Sequence, residues 1–299
     1  MKVKESFSRK VFCVCNVLFL LAIIVVVMFP YLNVIAKAFN DGQDTSMGGI
    51  TIYPRVPTLL NFETVLADPS IIRAFFVSVA VVVSGTLLAL TVQFMTAYVF
   101  INKKLVGRGA IMLLFLVPMY FGGGLIPQYI LYANVGLLDN FLVYILPGAF
   151  SAYNMIIMRS YLSSVHISLF EAARIDGASD FRMAFGIALP LAKPVLATVG
   201  LWLAVGFWNN WTTTMYYIMD KDLFTLQYVL VQILKEAERI QAIIMEAMLS
   251  GQFVDIDIKV TSESIKCAQL VVTTLPIVMV YPFLQKYFIK GTTLGAVKD

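Results

Sequence analysis

Six long apolar stretches, separated by polar punctuation, set the plan of this chain. They lie at residues 12–36, 74–101, 109–132, 141–159, 184–212 and 267–288. A bilayer crossing takes about 20 apolar residues, so each is expected to be a membrane-spanning helix. The fold class expected is an all-α polytopic membrane protein, one transmembrane domain over residues 1–299. The first stretch follows a basic segment, Met1 to Lys10, that resembles a signal-peptide start, and Ala36-Lys37-Ala38 resembles a cleavage site. The apolar run between them exceeds the 7–15 residues or so of a signal core, so it is expected to stay as an anchor.

The polar segments are unequal. Residues 38–70 mix Gly48-Gly49 and Pro54-Arg55-Val56-Pro57 with polar groups, which predicts an irregular but ordered loop. Residues 213–266 contain Leu226 to Leu249, where apolar residues recur at helical spacing beside Lys235, Glu236, Glu238 and Arg239. That pattern predicts an amphipathic helix. A third polar insert, 163–190, separates the fourth and fifth stretches.

Charge orients the spans. With the N-terminus inside, the inner segments hold 14 Lys and Arg against five acidic residues, and the outer segments hold eight against 13. Basic residues resist translocation, so both termini and the 163–190 insert are expected on the cytoplasmic side. Composition agrees with the membrane plan. The chain is 60% hydrophobic and 13% charged, where a soluble domain has about a quarter charged residues. Three cysteines without framework spacing, among them Cys13-x-Cys15, predict free thiols rather than a disulfide scaffold.

The spans contain no Asp, Glu or His between their ends, and Lys193 lies near the inner end of the fifth. Carriers driven by ion or proton gradients place ionisable groups at mid-membrane, which argues against a self-powered carrier. There is no phosphate-binding Gly-x-x-x-x-Gly-Lys-Ser/Thr loop. The one histidine, His166, has no partners for a Ser-His-Asp set or a His-Glu-x-x-His zinc site. No enzyme activity and no metal are expected.

Several spans are interrupted. Pro118, Gly122, Gly123, Gly124 and Pro127 fall in the third, Pro190 and Pro194 near the start of the fifth, and Pro276 and Pro282 in the last. Such breaks cluster at cavities and hinges, and the glycine triplet is the expected hinge. In the cytoplasmic insert, Ser168 is expected to cap a short helix with Glu171 three residues on. Ala172 and Ala173 give a small-residue surface, and Gly177 fits a reversal at positive φ. Arg174, Asp176, Asp180 and Arg182 keep the insert wet, and Leu189-Pro190 restarts a helix.

Glu171-Ala172-Ala173, Gly177 and Ile187-x-Leu189-Pro190 together resemble the signature loop of permease subunits of bacterial ATP-binding-cassette importers. The resemblance implies a type I importer permease fold, with Glu171, Ala172, Ala173, Asp176 and Gly177 coupling the chain to a separate ATPase. Val117 to Pro127, Gly136-Leu137-Leu138-Asp139-Asn140 and Ile145 to Ala149 resemble carbohydrate permeases of the maltose type. Tyr281 to Phe288 and Lys290-Gly291 through Lys298 resemble the complex-oligosaccharide branch. Two departures from that branch are Val165-His166-Ile167, where Ile-Pro is usual, and the Lys298-Asp299 end.

The implied partners are a second homologous permease, a cytoplasmic ATPase dimer, an extracellular solute-binding protein, an oligosaccharide and membrane lipid; no nucleic acid is expected. No cofactor is expected in this chain, since ATP and magnesium belong to the ATPase. Trp202, Trp208, Asn209, Asn210 and Trp211, in the outer half of the fifth span beside Phe207, are expected to line the sugar route, the alternative for Trp208 and Trp211 being an interfacial aromatic belt. Aromatic rings stack on sugar faces, amides bond hydroxyls, and lipid-facing amides are costly. The alternative is a permease for another solute class: amino acid, peptide or ion.

Overall fold

The computed structural model describes residues 7–67, 69–250 and 260–294. Lys2, Lys4 and the Gly295 to Asp299 tail lie outside the described residues. The helices run α1 (Phe7–Ala38), α2 (Gly42–Ser46), α3 (Leu60–Leu66), α4 (Ser70–Val99), α5 (Arg108–Tyr120), α6 (Leu125–Asn134), α7 (Leu142–Ile145) and α8 (Ala152–Leu162). They continue as α9 (Ile167–Ile175), α10 (Asp180–Met183), α11 (Leu189–Leu191), α12 (Lys193–Asn209), α13 (Thr212–Tyr217), α14 (Leu226–Leu249) and α15 (Ser262–Leu294). A π-helical turn, Ala184–Ala188, joins α10 to α11. The all-α class is therefore observed. Among the described residues the β pairing is one isolated bridge, Asn40 to Pro57. Two compact units result, Met1–Pro69 with Leu230–Leu275, and Ser70–Val229 with Pro276–Asp299.

In the first unit, α1 is apolar all round and exposed from Phe7 to Leu32, Cys13 and Cys15 included. Hydrocarbon solvates such a surface as well as protein does, so nothing compels this helix to bury a face. The following loop is ordered, as expected, and two buried asparagines organise it. Asn40 donates to Asp44 Oδ2 (2.9 Å) and Thr45 Oγ1 (3.1 Å) and accepts from the Val56 amide (2.8 Å). Asn61 donates to the carbonyls of Ala38 (2.9 Å) and Asn40 (2.8 Å). Arg55 then bridges Asp44 Oδ2 (3.0 Å) and the Gly48 carbonyl (2.6 Å). Four of these bonds, to the Val56 amide and the carbonyls of Ala38, Asn40 and Gly48, meet backbone groups that the loop's irregular path leaves without a helical partner. Helix α15 begins with a reciprocal cap, the Thr261 amide donating to Ser264 Oγ (3.0 Å) and the Ser264 amide to Thr261 Oγ1 (3.4 Å).

The second unit is built on α4, against which α12 and α8 pack. Small residues allow this close approach, because lipid tails supply no hydrophobic drive to press helices together. Phe207 of α12 fills a slot between glycines. A Cβ on Gly85 would lie 2.8 Å from the Phe207 ring, and one on Gly148 3.0 Å from it. Gly200 of α12 meets Leu90 in the same way, at 3.2 Å. One apolar cluster joins Phe94 and Ala97 of α4 to Met155, Met158 and Leu162 of α8 and to Ala188, Ala192, Val195 and Val199. A second gathers Val81, Tyr132, Val143, Tyr144, Ile145, Tyr217 and Ile218.

The six expected spans differ in continuity. Those at 12–36 and 74–101 are the continuous helices α1 and α4. The stretch at 109–132 is not one helix: α5 and α6 meet at 117° across Phe121 to Gly124. Gly124 there adopts φ +83, a conformation that opposes a side chain. The stretch at 141–159 is divided between α7 and α8 by a segment containing Pro147-Gly148. At 184–212 the segment Asp180–Leu191 and α12 meet at 80°, with Ala192 between them. Proline sits in the first turn of both α11 and α12, where no amide is needed. The last stretch lies inside α15. Helix α14 is the predicted amphipathic helix: Leu226, Val229 and Leu230 are buried while Lys235, Glu236, Glu238 and Arg239 are exposed.

The glycine slot yields a stability prediction. Gly85→Ala overpacks the Phe207 ring and is expected to cost about 1–3 kcal/mol. The loss should appear as a lower melting temperature of the detergent-solubilised protein. Adding Phe207→Leu to the same chain should recover most of it; a melting temperature unchanged by Gly85→Ala would contradict the packing described.

Candidate functional site

The insert between α8 and α12 is a compact helix–turn–helix. Helix α9 starts at Ile167 with His166 in the capping position, and no side chain caps it. The expectation that Ser168 caps this helix is thus corrected. The chain leaves α8 through a turn in which the Ser164 amide donates to the Tyr161 carbonyl and that of Val165 to Leu162. The helical bonding of α9 begins directly after that turn, which places Ser168 inside its first turn and Glu171 in its second. The capping serine is Ser179, whose Oγ accepts from the Arg182 amide at 3.3 Å to start α10.

The reversal is the one Gly177 predicts. Gly177 has φ +75; the Ala178 amide donates to the Ala173 carbonyl (2.9 Å) and the Gly177 amide to that of Arg174 (3.1 Å). This pair of bonds closes a helix through a left-handed glycine. Across the turn Arg174 Nη2 lies 3.5 Å from Asp180 Oδ1, both well exposed, so the pair adds little stability but links the two limbs.

Phe170 anchors the insert. It packs on the α4–α8–α12 cluster, with its ring 6.3 Å from that of Tyr98 near the end of α4. The opposite surface is open: Glu171, Ala172, Asp176 and Gly177 are exposed and Ala173 is half-buried. Two residues missed in the sequence reasoning stand out there. Ile175 is 86% exposed, and Phe181, stacked on Phe185 with centroids 6.1 Å apart, is 70% exposed. The signal was present in Arg174-Ile175-Asp176 and Asp180-Phe181-Arg182, where apolar residues interrupt charge without a buried face to explain them.

The expected sugar-lining residues serve several tasks. Trp208 is buried, edge-on to Phe75 at 6.1 Å, and borders an apolar cavity of about 210 Å³. Trp202 is 46% exposed and Trp211 half-buried. Asn210 is committed locally: its Oδ1 accepts from the Thr213 amide (3.1 Å) and its Nδ2 donates to Thr213 Oγ1 (2.8 Å) at the start of α13. Asn209 is exposed and accepts from Gln227 Nε2 at 3.2 Å. Gly122, Gly123 and Gly124 lie at the 117° break and are exposed.

Beyond that break, α6 is held to α13. Gly136 (φ +70) ends α6 and Asn140 Oδ1 accepts from the Leu142 amide. Between them Asp139 takes φ +54, donates its amide to the Tyr217 carbonyl (2.8 Å), and accepts from the amides of Met219 (2.9 Å) and Asp220 (2.8 Å). The Gly136 to Asn140 motif therefore makes a clamp. Tyr129 and Tyr132 of α6 meet Tyr217 there, at centroid distances of 6.1 and 5.0 Å, and Tyr216 lies 6.2 Å from Tyr217.

Broken apolar spans with a polar helical insert packed on their core suit a membrane transport subunit. The chain belongs to the family described as binding-protein-dependent transport system inner membrane component, which matches residues 9–294. It is 36% identical over 293 residues to Protein LplC of Bacillus subtilis (strain 168), covering 97% of this chain and 96% of that one. It is 34% identical over 280 residues to the polygalacturonan/rhamnogalacturonan transport system permease protein YtcP of the same organism, covering 94% and 96%. Among solved structures it resembles a chain of a bacterial ABC transporter involved in the import of the acidic polysaccharide alginate. The TM-score is 0.80 at 27% identity, over 96% of this chain and 100% of the other.

The clamp is sensitive to acid. Hydrogen bonds from the amides of Asp220, first, and Met219 hold the Asp139 carboxyl below its ordinary pKa. A depressed folded pKa contributes stability that is present above the unfolded value, about 4, and lost as pH falls through the folded one. Hydrogen exchange at Met219 and Asp220, corrected for intrinsic rate, is expected to speed up as the pH drops below that range. Asp139→Ala should show the fast exchange at every pH.

Proposed function

We propose that this chain is the membrane-spanning permease of an ATP-driven importer that brings an oligosaccharide into the cell. The observation that carries this is the insert. It is a helical hairpin in which Glu171, Ala172, Ile175 and Phe181 are exposed while Phe170 packs against the cluster of α4, α8 and α12. A surface so placed transmits displacement from a cytoplasmic partner into the helices without local unfolding. The engine is a separate ATPase dimer, which binds ATP and magnesium; this chain contributes Glu171, Ala172, Ala173, Asp176 and Gly177 to its docking. Closure of that dimer shifts the balance between inward- and outward-open states.

Charge supports the orientation, with both termini and the insert cytoplasmic in a bacterial plasma membrane. The outer segments 38–70 and 213–266 then face an extracellular solute-binding protein, and a second permease completes the pathway. The carbohydrate cargo is supported by the names of relatives. One is named for polygalacturonan or rhamnogalacturonan, others for arabinooligosaccharides and maltodextrin, and the similar structure belongs to an importer of alginate.

The test is uptake with subunit capture. Gly177→Val places a branched side chain at φ +75, a cost of roughly 1–2 kcal/mol, and Glu171→Lys reverses an exposed charge. Each is expected to abolish oligosaccharide uptake and to release the co-purified ATPase, with membrane insertion unchanged. Uptake at the wild-type rate in both variants would end the coupling assignment.

A further inference from the structure

Two breaks in the apolar spans converge on a group of tyrosines. The glycine break after α5 turns α6 back, and the Asn210 cap starts α13; these two short helices bring Tyr129, Tyr132, Tyr216 and Tyr217 together. The burial is graded. Tyr132 and Tyr217 are 7% and 8% exposed, while Tyr129 and Tyr216 are 38% and 43% exposed. Tyr217 thus acts as a hub, with Tyr129 nearly parallel to it (27°) and Tyr216 inclined at 63°. Gln128, on the exposed side of α6, donates its amide to the Tyr132 hydroxyl.

An interfacial aromatic belt is the plain alternative. Belt residues anchor singly at the headgroup level and need neither a shared buried ring nor a fixed angle between them. Here the rings come from elements more than 80 residues apart, and the Asp139 clamp holds those elements in register. Asp139 itself spends its carboxylate on two backbone amides. The polar atoms that these rings and Gln128 themselves contribute are phenol hydroxyls and an amide, all neutral. Flat apolar faces fringed by neutral donors and acceptors match a pyranose ring, which has one C–H face and an equatorial rim of hydroxyls. By the charge-derived orientation the group sits at the outer mouth, beside the turn 133–140 and at the start of the segment 213–266.

We propose that Tyr129 and Tyr216 form a sugar-stacking subsite at the extracytoplasmic entrance of the permease, supported by Tyr217, with Gln128 bonding a sugar hydroxyl. The subsite rests on the carbohydrate reading above. It differs from the Trp202 to Trp211 lining, whose Trp208 is buried and whose Asn210 is engaged in a cap.

The test uses the whole transporter, this chain with its second permease, ATPase and binding protein, in proteoliposomes. The probes are radiolabelled maltoheptaose, an oligogalacturonide and an arabino-oligosaccharide. Wild-type uptake of at least one probe tests the carbohydrate reading by itself; uptake of none overturns that reading and the subsite with it. Given uptake, Tyr129→Ala and Tyr216→Ala are each expected to lower its rate by about tenfold. Basal ATP hydrolysis and subunit composition should stay unchanged, and Tyr129→Trp should restore transport by restoring a stacking face. Wild-type uptake in the double alanine variant overturns the subsite. So does a loss of uptake accompanied by release of the second permease, which would make the rings a subunit contact.

Discussion

A peptide group left unpaired in hydrocarbon costs several kcal/mol, and that constraint governs where this chain can break its helices. Several turns and helix starts in the second unit are matched by a side chain that meets the exposed backbone. Gln93, fully buried in α4, donates to the Ala149 carbonyl (3.2 Å) in the segment that divides α7 from α8. Asn210 caps α13, Asp139 gathers the amides of Met219 and Asp220, and Ser78 of α4 accepts the Leu226 amide (2.8 Å) where α14 begins. Polar residues that hydropathy treats as defects are therefore the conditions under which the spans can bend.

These bonds make α4 the common reference of the unit. Toward one end Ser78 and Arg73 hold the start of α14 and Asp222. Toward the other, Phe94 and Ala97 share a core with α8 and α12, and Tyr98 meets Phe170 of the insert. Between them Gly85 admits the Phe207 ring and Leu90 meets Gly200. The insert therefore packs on a helix that α12 engages along its length, and not on a loop.

How much the sequence disclosed depends on how local each determinant is. The continuous spans α1 and α4 were legible because long apolar runs have few alternatives in a bilayer, and a lone Pro30 or Gly85 does not break them. Helix α14 was legible from its period, and the Gly177 turn from a residue type that local sterics demand. The six-span plan hid more. The glycine triplet announced a break, but the 117° between α5 and α6 depends on the contacts α6 makes with α13. Ser168 was misjudged as a cap because helix starts depend on where the preceding turn ends, which sequence places only to within a few residues. Asn210 was expected only to line the sugar route, and its bonds to Thr213 come to light in the fold alone. Ile175 and Phe181 were overlooked because exposure is a property of the fold, not of a residue and its neighbours in sequence.

The π-helical turn at Ala184–Ala188 has a geometric corollary. Each residue of an α-helix advances the chain by about 100° around its axis, and a π turn carries one residue more than an α turn does. The surplus residue acts as a fixed angular offset between α10 and α11. It fixes the azimuth at which Phe181 and Phe185 emerge relative to the axis that Pro190 resumes. The orientation of these two exposed rings is thereby written as a residue count, so that a family member without the extra residue would turn them to a different flank.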